Sequence, residues 1–256
     1  MPLSSENADS VTTLHAEDGT PLARLRLRED EGTLLAERVL PLPGASLDQV
    51  AAQARRDLAG RRLTTPDDAL ARTLVDSGLR LRRAATEMHH DLAGLPALPQ
   101  LPEGWTLRPG GWDDDLAEGL IAAYGPEHPD GRWQDSDTKQ IRAMFEHGDP
   151  VPPLGEASAR VAGADGRSAG HVLVAGPVPW TDDDCAWILN LGVAPQAQGL
   201  GLGRVLLAHA LHGSHAAGLP RIGLEVADGN VARHLYDSAG FQVRARVLSV
   251  DLPPLS

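Results

Sequence analysis

The run Gln198-Gly199-Leu200-Gly201-Leu202-Gly203 carries the clearest chemical signal in this chain of 256 residues. Glycines at alternate positions let backbone N–H groups crowd around an anion with no Cβ in the way. The run follows an apolar stretch, Ala186 to Val193, that reads as a buried strand, and it leads into a helix over 204–217. A helix start offers orphan N–H groups and the positive end of its dipole, which suits a pyrophosphate, and Arg204 in the first turn adds a charged contact. Two rival loops fail on spacing. A dinucleotide-binding fingerprint requires glycine at 204, where Arg204 stands, and the Gly-Lys-Ser/Thr close of a nucleotide P-loop is absent. A glycine-rich turn that holds no ligand stays open on these residues alone.

The elements that must position this loop begin after a Leu-, Pro- and Gly-rich stretch at 93–102, which reads as a linker. A strand at 105–108, helices over 113–124 and 136–147, and a hairpin of strands at 157–162 and 169–175 come next. Past the loop and its helix lie a strand at 221–226, a helix over 231–238 and a strand at 241–251. Before the linker, residues 1–10 read as a disordered tail, and 11–92 as a smaller module of strands near 22–28, 33–40 and 79–88 with helices over 46–59 and 66–77. The division expected is therefore 1–10, 11–92, 93–102 and 103–256, with an α/β fold on a mixed sheet.

Composition narrows the partners. The net charge of −12 argues against the basic surface that nucleic-acid phosphates require and favours a cationic small molecule. Cys185 is the single cysteine, so neither an internal disulfide nor a cysteine-rich zinc site can form. His209, His212 and His215 recur along one helix with no carboxylate or cysteine in step, so no metal is expected. No apolar run reaches membrane-spanning length, and Met1 to Glu6 lacks the basic and apolar regions of a signal peptide; a cytoplasmic chain with no membrane partner is expected.

The stretch Val193-Ala194-Pro195-Gln196-Ala197-Gln198-Gly199-Leu200-Gly201-Leu202-Gly203 resembles the acyl-CoA loop of the GNAT superfamily of N-acyltransferases, with Gln198, Gly201 and Gly203 filling its pattern. Ala232-Arg233-His234-Leu235-Tyr236-Asp237-Ser238-Ala239-Gly240-Phe241 is similar to the family's second signature, and the element order matches over 103–251. The resemblance implies a sheet splayed between the strand ending at Val193 and the strand 221–226. It implies that the backbone of Leu191 and Val193 pairs with the pantetheine arm, and that amides from Gln198 through Gly199, Leu200, Gly201, Leu202 and Gly203 to Arg204 hold the pyrophosphate. Tyr236 becomes the general acid toward the leaving thiolate. Asn230 is the residue nearest the family's contact to the CoA arm, although it sits one residue closer to Tyr236 than usual. Acetyl-CoA or another small acyl-CoA is the implied co-substrate, with no metal.

Other residues carry both a chemical and a plain structural reading. Glu225, on the polar side of its strand, can hold or deprotonate an amine, or simply be a solvated carboxylate. The family often places a carboxylate on the strand before the loop, but here Trp187 and Asn190 occupy the comparable positions. Glu127, His128 and Trp133 fall where the family builds its acceptor pocket, on a stretch that also suits a surface loop. The residues 11–92 show a weaker likeness to the second half of the same fold, with Ala71 to Gly78 against Ala232 to Gly240, and read as a degenerate partial repeat. The expected activity is transfer of an acetyl or other small acyl group to the amine of a small molecule or peptide, by a monomer or homodimer. A non-catalytic acyl-CoA sensor and an interaction protein on the same fold are the alternatives, separated by turnover and by CoA binding.

Overall fold

The computed structural model describes residues 11–30, 33–125, 127–148, 151–181 and 183–254; the expected tail at 1–10 lies outside them. The chain packs as two compact units, residues 1–86 with 244–256, and residues 87–243. The composition-based boundary at 93–102 differs from this division, which falls within two strands. The physical reason is local: Leu95 and Leu101 pack against the second unit's core, and Pro96 O accepts from His212 Nε2 at 2.8 Å.

The first unit takes β1 (Val11–His15), β2 (Pro21–Asp30), β3 (Thr33–Pro41), α1 (Leu47–Asp57), β4 (Arg62–Thr65), α2 (Asp68–Asp76) and the start of β5 (Leu81–His90). β1, β2 and β3 form an antiparallel meander, and β4 then pairs parallel to β3 only at Leu35↔Arg62 and Ala36↔Leu63. A bulge interrupts β3 at Arg38, which takes φ 52°. Asp67 caps α2 by accepting from Leu70 N at 2.7 Å, whereas Ser46 stands at the α1 N-cap without a side-chain cap bond. Val50, Ala54, Leu58, Leu70 and Leu74 bury the inner faces of both helices against Leu22, Leu25 and Leu63.

The second unit takes the end of β5, then β6 (Thr106–Pro109), α3 (Asp114–Ala123), α4 (Asp135–His147), β7 (Ala159–Ala162), β8 (Ser168–Ala175), β9 (Cys185–Val193), α5 (Leu202–Ala216), β10 (Arg221–Ala227) and α6 (Ala232–Ser238). Its strands run in the order β5, β10, β9, β8, β7, β6. β11 (Gln242–Asp251) follows α6 but returns to the first unit, where Leu248 to Asp251 pair antiparallel with Arg62 to Thr65 of β4. β5 thus passes from the first unit into the second after Thr86, and most of β11 belongs to the first. One face of the second sheet carries α5, whose Leu202, Leu206, Leu207 and Leu211 are buried against Val172, Val174, Ile188 and Leu224. Each such side chain contributes about 1.5–3 kcal/mol by leaving water. The other face carries α3 and α4 through Leu116, Leu120, Ile141 and Met144 over Leu173 and Trp187.

Gly213 lets α5 approach the chain ahead of β7 closely. A Cβ there would stand 2.2 Å from Glu156 O and 2.5 Å from Ala157 Cα, both backbone atoms. Glycine-to-alanine inside a helix ordinarily gains about 0.5–1 kcal/mol, whereas overpacking costs about 1–3 kcal/mol. The steric term wins, so Gly213→Ala should lower stability by about 1–2 kcal/mol in a urea melt. Unchanged stability would show that residues 156–157 yield without cost.

Candidate active site

β9 and β10 are paired only at their beginnings. Cys185↔Arg221, Ala186↔Ile222 and Trp187↔Gly223 form parallel partners, and beyond them the strands part. At the last of these pairs the Trp187 ring lies over β10, where a Cβ on Gly223 would stand 2.5 Å from Trp187 Cζ3. Just past this point β9 is bulged. Asn190 pairs with Leu173 and Ile188 with Val174, so Leu189 has no partner on β8. The extra residue reverses the alternation of side chains. Trp187, three residues before Asn190, therefore shares a face with it, together with His171, Leu173 and Ala175 across the ladder.

The glycine run lies at the end of the open strand, after a 3₁₀ turn at Pro195–Ala197. Gly199 and Gly201 take φ 80° and 79°, and Gly201 is the N-cap of α5. The first intrahelical bonds run from Arg204 N and Val205 N to Gly201 O, so the N–H groups before them precede the helical ladder. Gly203 lies inside the first turn without a positive φ, and a Cβ there would meet Leu235 Cδ2 at an ordinary 3.5 Å. The conformational demand thus falls on Gly199 and Gly201. Gln198 folds back so that Nε2 donates to Val193 O at 3.0 Å, while Leu200 and Arg204 are exposed. Leu191 and Val193 are half-buried on the parted stretch of β9.

A polar and aromatic group closes the cleft from the side of α3. Tyr124, the C-cap of α3, has its ring 4.3 Å from His128 and 5.5 Å from Trp133. Trp133 Nε1 donates to Thr138 Oγ1 at 2.7 Å, and Asp130 N donates to His128 Nδ1 at 3.2 Å. Asp130 ties this loop to the β10–α6 connection. Its Oδ1 accepts from Ala227 N at 3.0 Å and its Oδ2 from Asn230 Nδ2 at 2.5 Å. Asn230 Oδ1 in turn accepts from Ala232 N at 2.9 Å, so both polar ends of Asn230 are committed within the protein. Tyr236 is buried on α6 with its ring 5.8 Å from Phe241. Burial, and then the charge of Asp130, raise its hydroxyl pKa above the usual tyrosine value. Burial likewise raises Tyr124, with Tyr236 and Asp130 adding to it.

Of the residues expected from the sequence, His128, Trp133, Asn230 and Tyr236 come together with Tyr124 and Asp130. Glu127 is exposed, and Glu225 lies half-buried between Gly223 and Ala227 on one face of β10. Asp130 and His171 join the site without any sequence signal. Asp130 looks like any turn residue, and His171 sits in an apolar strand that offers no sign of its partner. His171 is fully buried and its Nε2 lies 2.5 Å from Asn190 Oδ1. Burial pushes its pKa down to about 4, against a smaller upward pull from that hydrogen bond. Burial and Asp183 push the Cys185 thiol up to about 12, which leaves it protonated. Among the described residues no cluster of metal-ligating side chains occurs, and no helix is long and apolar enough to cross a membrane.

Comparison with known proteins follows this geometry. Residues 117–241 match the model of the acetyltransferase (GNAT) family. A mycothiol acetyltransferase of Salinispora arenicola is 34% identical over 179 residues, covering 65% of this chain and 54% of that protein. A mycothiol acetyltransferase of Cellulomonas flavigena is 32% identical over 226 residues, covering 82% of this chain and 63% of the relative. The chain thus spans between about half and two thirds of the length of these relatives. A GCN5-related N-acetyltransferase from Sphaerobacter thermophilus superposes with TM-score 0.69 at 19% identity, covering 98% of this chain and 83% of that one. A tandem GNAT protein from the clavulanic acid biosynthesis pathway superposes with TM-score 0.60 at 17% identity, covering 94% and 82%. At these identities the superpositions show the fold.

The His171 pKa carries a stability signature. Its folded value, about 4, lies below the ordinary 6.5, so between these values the unfolded chain binds the extra proton. Its contribution is complete above pH about 6.5 and is lost as pH falls toward 4, on the order of 3 kcal/mol in all. His90 and His209 are also lowered, by burial, and tilt the profile the same way. Denaturant melts between pH 4.5 and 7 should show a shallower slope in His171→Leu than in the wild type. Equal slopes would mean that His171 takes up its proton in the folded state as readily as in the unfolded one.

Proposed function

Residues 117–241 of this chain belong to the acetyltransferase (GNAT) family, and from that premise we propose that the protein is an N-acyltransferase moving an acetyl or other small acyl group from acyl-CoA to an amine. The observation that carries this reading is the parted edge of β9 ending on left-handed Gly199 and Gly201 at the start of α5. Of the amides expected from Gln198 to Arg204, those from Gly199 to Gly203 hold the pyrophosphate as orphan N–H groups favoured by the helix dipole, because Gln198 N already donates to Pro195 O and Arg204 N to Gly201 O. The free backbone of β9 at Leu191 pairs with the pantetheine arm. Val193 contributes less than the sequence pattern implied, because its carbonyl already accepts from Gln198. Asn230 shapes the cleft through Asp130 instead of touching CoA.

The amine nitrogen attacks the thioester carbon, a C–N bond forms, and the tetrahedral oxyanion collapses with cleavage of the C–S bond. The attacking nitrogen loses its proton to water, assisted by Glu225 or by the loop groups His128 and Glu127, and the leaving thiolate gains one. Tyr236 stays neutral at working pH because burial and Asp130 disfavour its anion, so its hydroxyl remains a donor for that thiolate. The net charge of −12 suits a cationic acceptor, and relatives named for mycothiol favour a small molecule over a protein.

Residues 11–92 are a degenerate copy of the same half-fold. The first unit from β1 and the second unit from β7 onward both run strand, strand, bulged strand, helix, strand, helix, and in both the parallel strand after the helix pairs only briefly. In the first unit the turn before α1 holds one left-handed glycine, Gly44, and lacks the alternating run. Calorimetric titration of CoA should therefore give one site per chain, and Gly201→Glu should remove it while the chain still folds, its melt lowered by the roughly 1–2 kcal/mol that a left-handed non-glycine residue costs. Two sites, or wild-type affinity in Gly201→Glu, would sink the loop assignment. Tyr236→Phe keeps the ring and loses only the hydroxyl. It should lower turnover by roughly ten- to a thousandfold, or about 1.4–4 kcal/mol, with CoA affinity little changed. Full activity in thiol-release assays at saturating acceptor would remove Tyr236 from the mechanism.

A further inference from the structure

His128 resembles a base for the acceptor amine until its hydrogen bonds are read by direction. A neutral imidazole has one N–H and one lone pair, on different nitrogens. Asp130 N, a backbone amide that only donates, points at His128 Nδ1 from 3.2 Å. Nδ1 therefore carries the lone pair and Nε2 the proton. The rival arrangement, a proton on Nδ1 shared with the Asp130 carboxylate, fails on distance. Oδ2 of Asp130 lies 4.0 Å from Nδ1, beyond hydrogen-bond reach, and already accepts from Asn230 Nδ2 at 2.5 Å. Oδ1 is taken by Ala227 N at 3.0 Å. The ring is held in place. The Tyr124 ring packs on it at 4.3 Å between centroids, and His128 N to Gly125 O and Gly131 N to His128 O close two turns around its backbone. The side chain is 25% exposed, and Nε2 meets no hydrogen-bond partner among the described residues.

On the acyltransfer reading above, we propose that His128 sets acceptor specificity as a fixed, neutral Nε2–H donor to an uncharged oxygen, a hydroxyl or amide carbonyl, close to the reacting nitrogen. An N–H can serve only a lone pair. A protonated amine has none, and the attacking free amine spends its pair on the thioester carbon. A carboxylate on the acceptor would meet the charge of Asp130 beside the ring and the net charge of −12. The acyl oxygen is the remaining rival. On the same reading it sits against the parted edge of β9, whose backbone has lost its β10 partner beyond Trp187 and serves it there. His128 thereby leaves the set of groups that assist deprotonation, because its one lone pair is committed to Asp130 N. Glu225 and Glu127 stay in that set.

The test is steady-state kinetics on the full chain with acetyl-CoA and two amines of matched shape, 2-aminoethanol and propylamine. The quantity read is the ratio of their kcat/KM values. The two amines differ in basicity, and that difference cancels when ratios are compared between variants at one pH. His128→Phe keeps a ring against Tyr124 and loses the donor, so the ratio should fall by roughly three- to tenfold, the worth of one neutral hydrogen bond. His128→Gln places an amide N–H near the position of Nε2–H but cannot take up a proton, and should restore the ratio to within about twofold of wild type. A ratio unchanged in His128→Phe would overturn the proposal, as would a wild type that acylates propylamine and not 2-aminoethanol. An equal loss with both amines that Gln does not restore would make His128 a base or a donor to the acyl oxygen, and would overturn it too. If the wild type turns over no amine, the acyltransfer reading itself fails. The donor is then judged by nitrogen-15 NMR of histidine-labelled protein, with the His128 signals assigned from their loss in His128→Gln. An Nε2–H tautomer at His128 supports it, and an Nδ1–H tautomer refutes it.

Discussion

The early end of the β9–β10 ladder is the constraint on which the second unit depends. Parallel strands satisfy each other's N–H and C=O groups along their length, and here that arrangement stops after Trp187 and Gly223. Every backbone group beyond must find another partner. Gln198 supplies one for Val193, and the rest of the parted edge faces the cleft. The Trp187 ring over Gly223 marks the fork, and any side chain larger than hydrogen at 223 would collide with it. Just past the fork the bulge at Leu189 turns Asn190 toward α3.

The fork is also where sequence patterns stop being informative. Element types and order are legible because apolar periodicity, the glycine stops at Gly78, Gly218 and Gly240, and the hairpin turn at Gly166 all agree with the packing. β1 leaves too faint a pattern: Val11-Thr12-Thr13-Leu14-His15 is short, and only Leu14 is fully buried. The bulge is hidden as well, since strict alternation puts residues 187 and 190 on opposite faces. The return of β11 to the first unit is invisible for a similar reason, because nothing in a strand's own residues names its neighbour. The 93–102 segment reads as a linker because its composition is that of one, while Leu95 and Leu101 are used for packing.

The cleft residues divide along the same line. Tyr236 and the glycine run stand in local patterns that a motif can capture. Tyr124, Asp130, Asn190 and His171 act through contacts between residues far apart in the chain, such as Asp130 with Asn230 and His171 with Asn190. Such a network is stable only when nearly every member is satisfied, and its members strengthen one another. Asn230 illustrates the shift in reading. Its place near the second motif points to a ligand contact, and its partners make it a strut between a loop and a helix start.

The return of β11 to the first unit bears on how such a chain is made. By the time residue 92 has left the ribosome, the first unit has its meander and both helices, yet the strand that covers β4 is β11, near the far end of the sequence. An exposed strand edge is an invitation to pair with whatever chain is nearby. At a synthesis rate of about 5–20 residues per second, that edge waits on the order of ten seconds for its partner. The first unit therefore cannot be completed, or cut out and expressed, as a continuous stretch of the chain, because it joins residues before 87 to residues after 243.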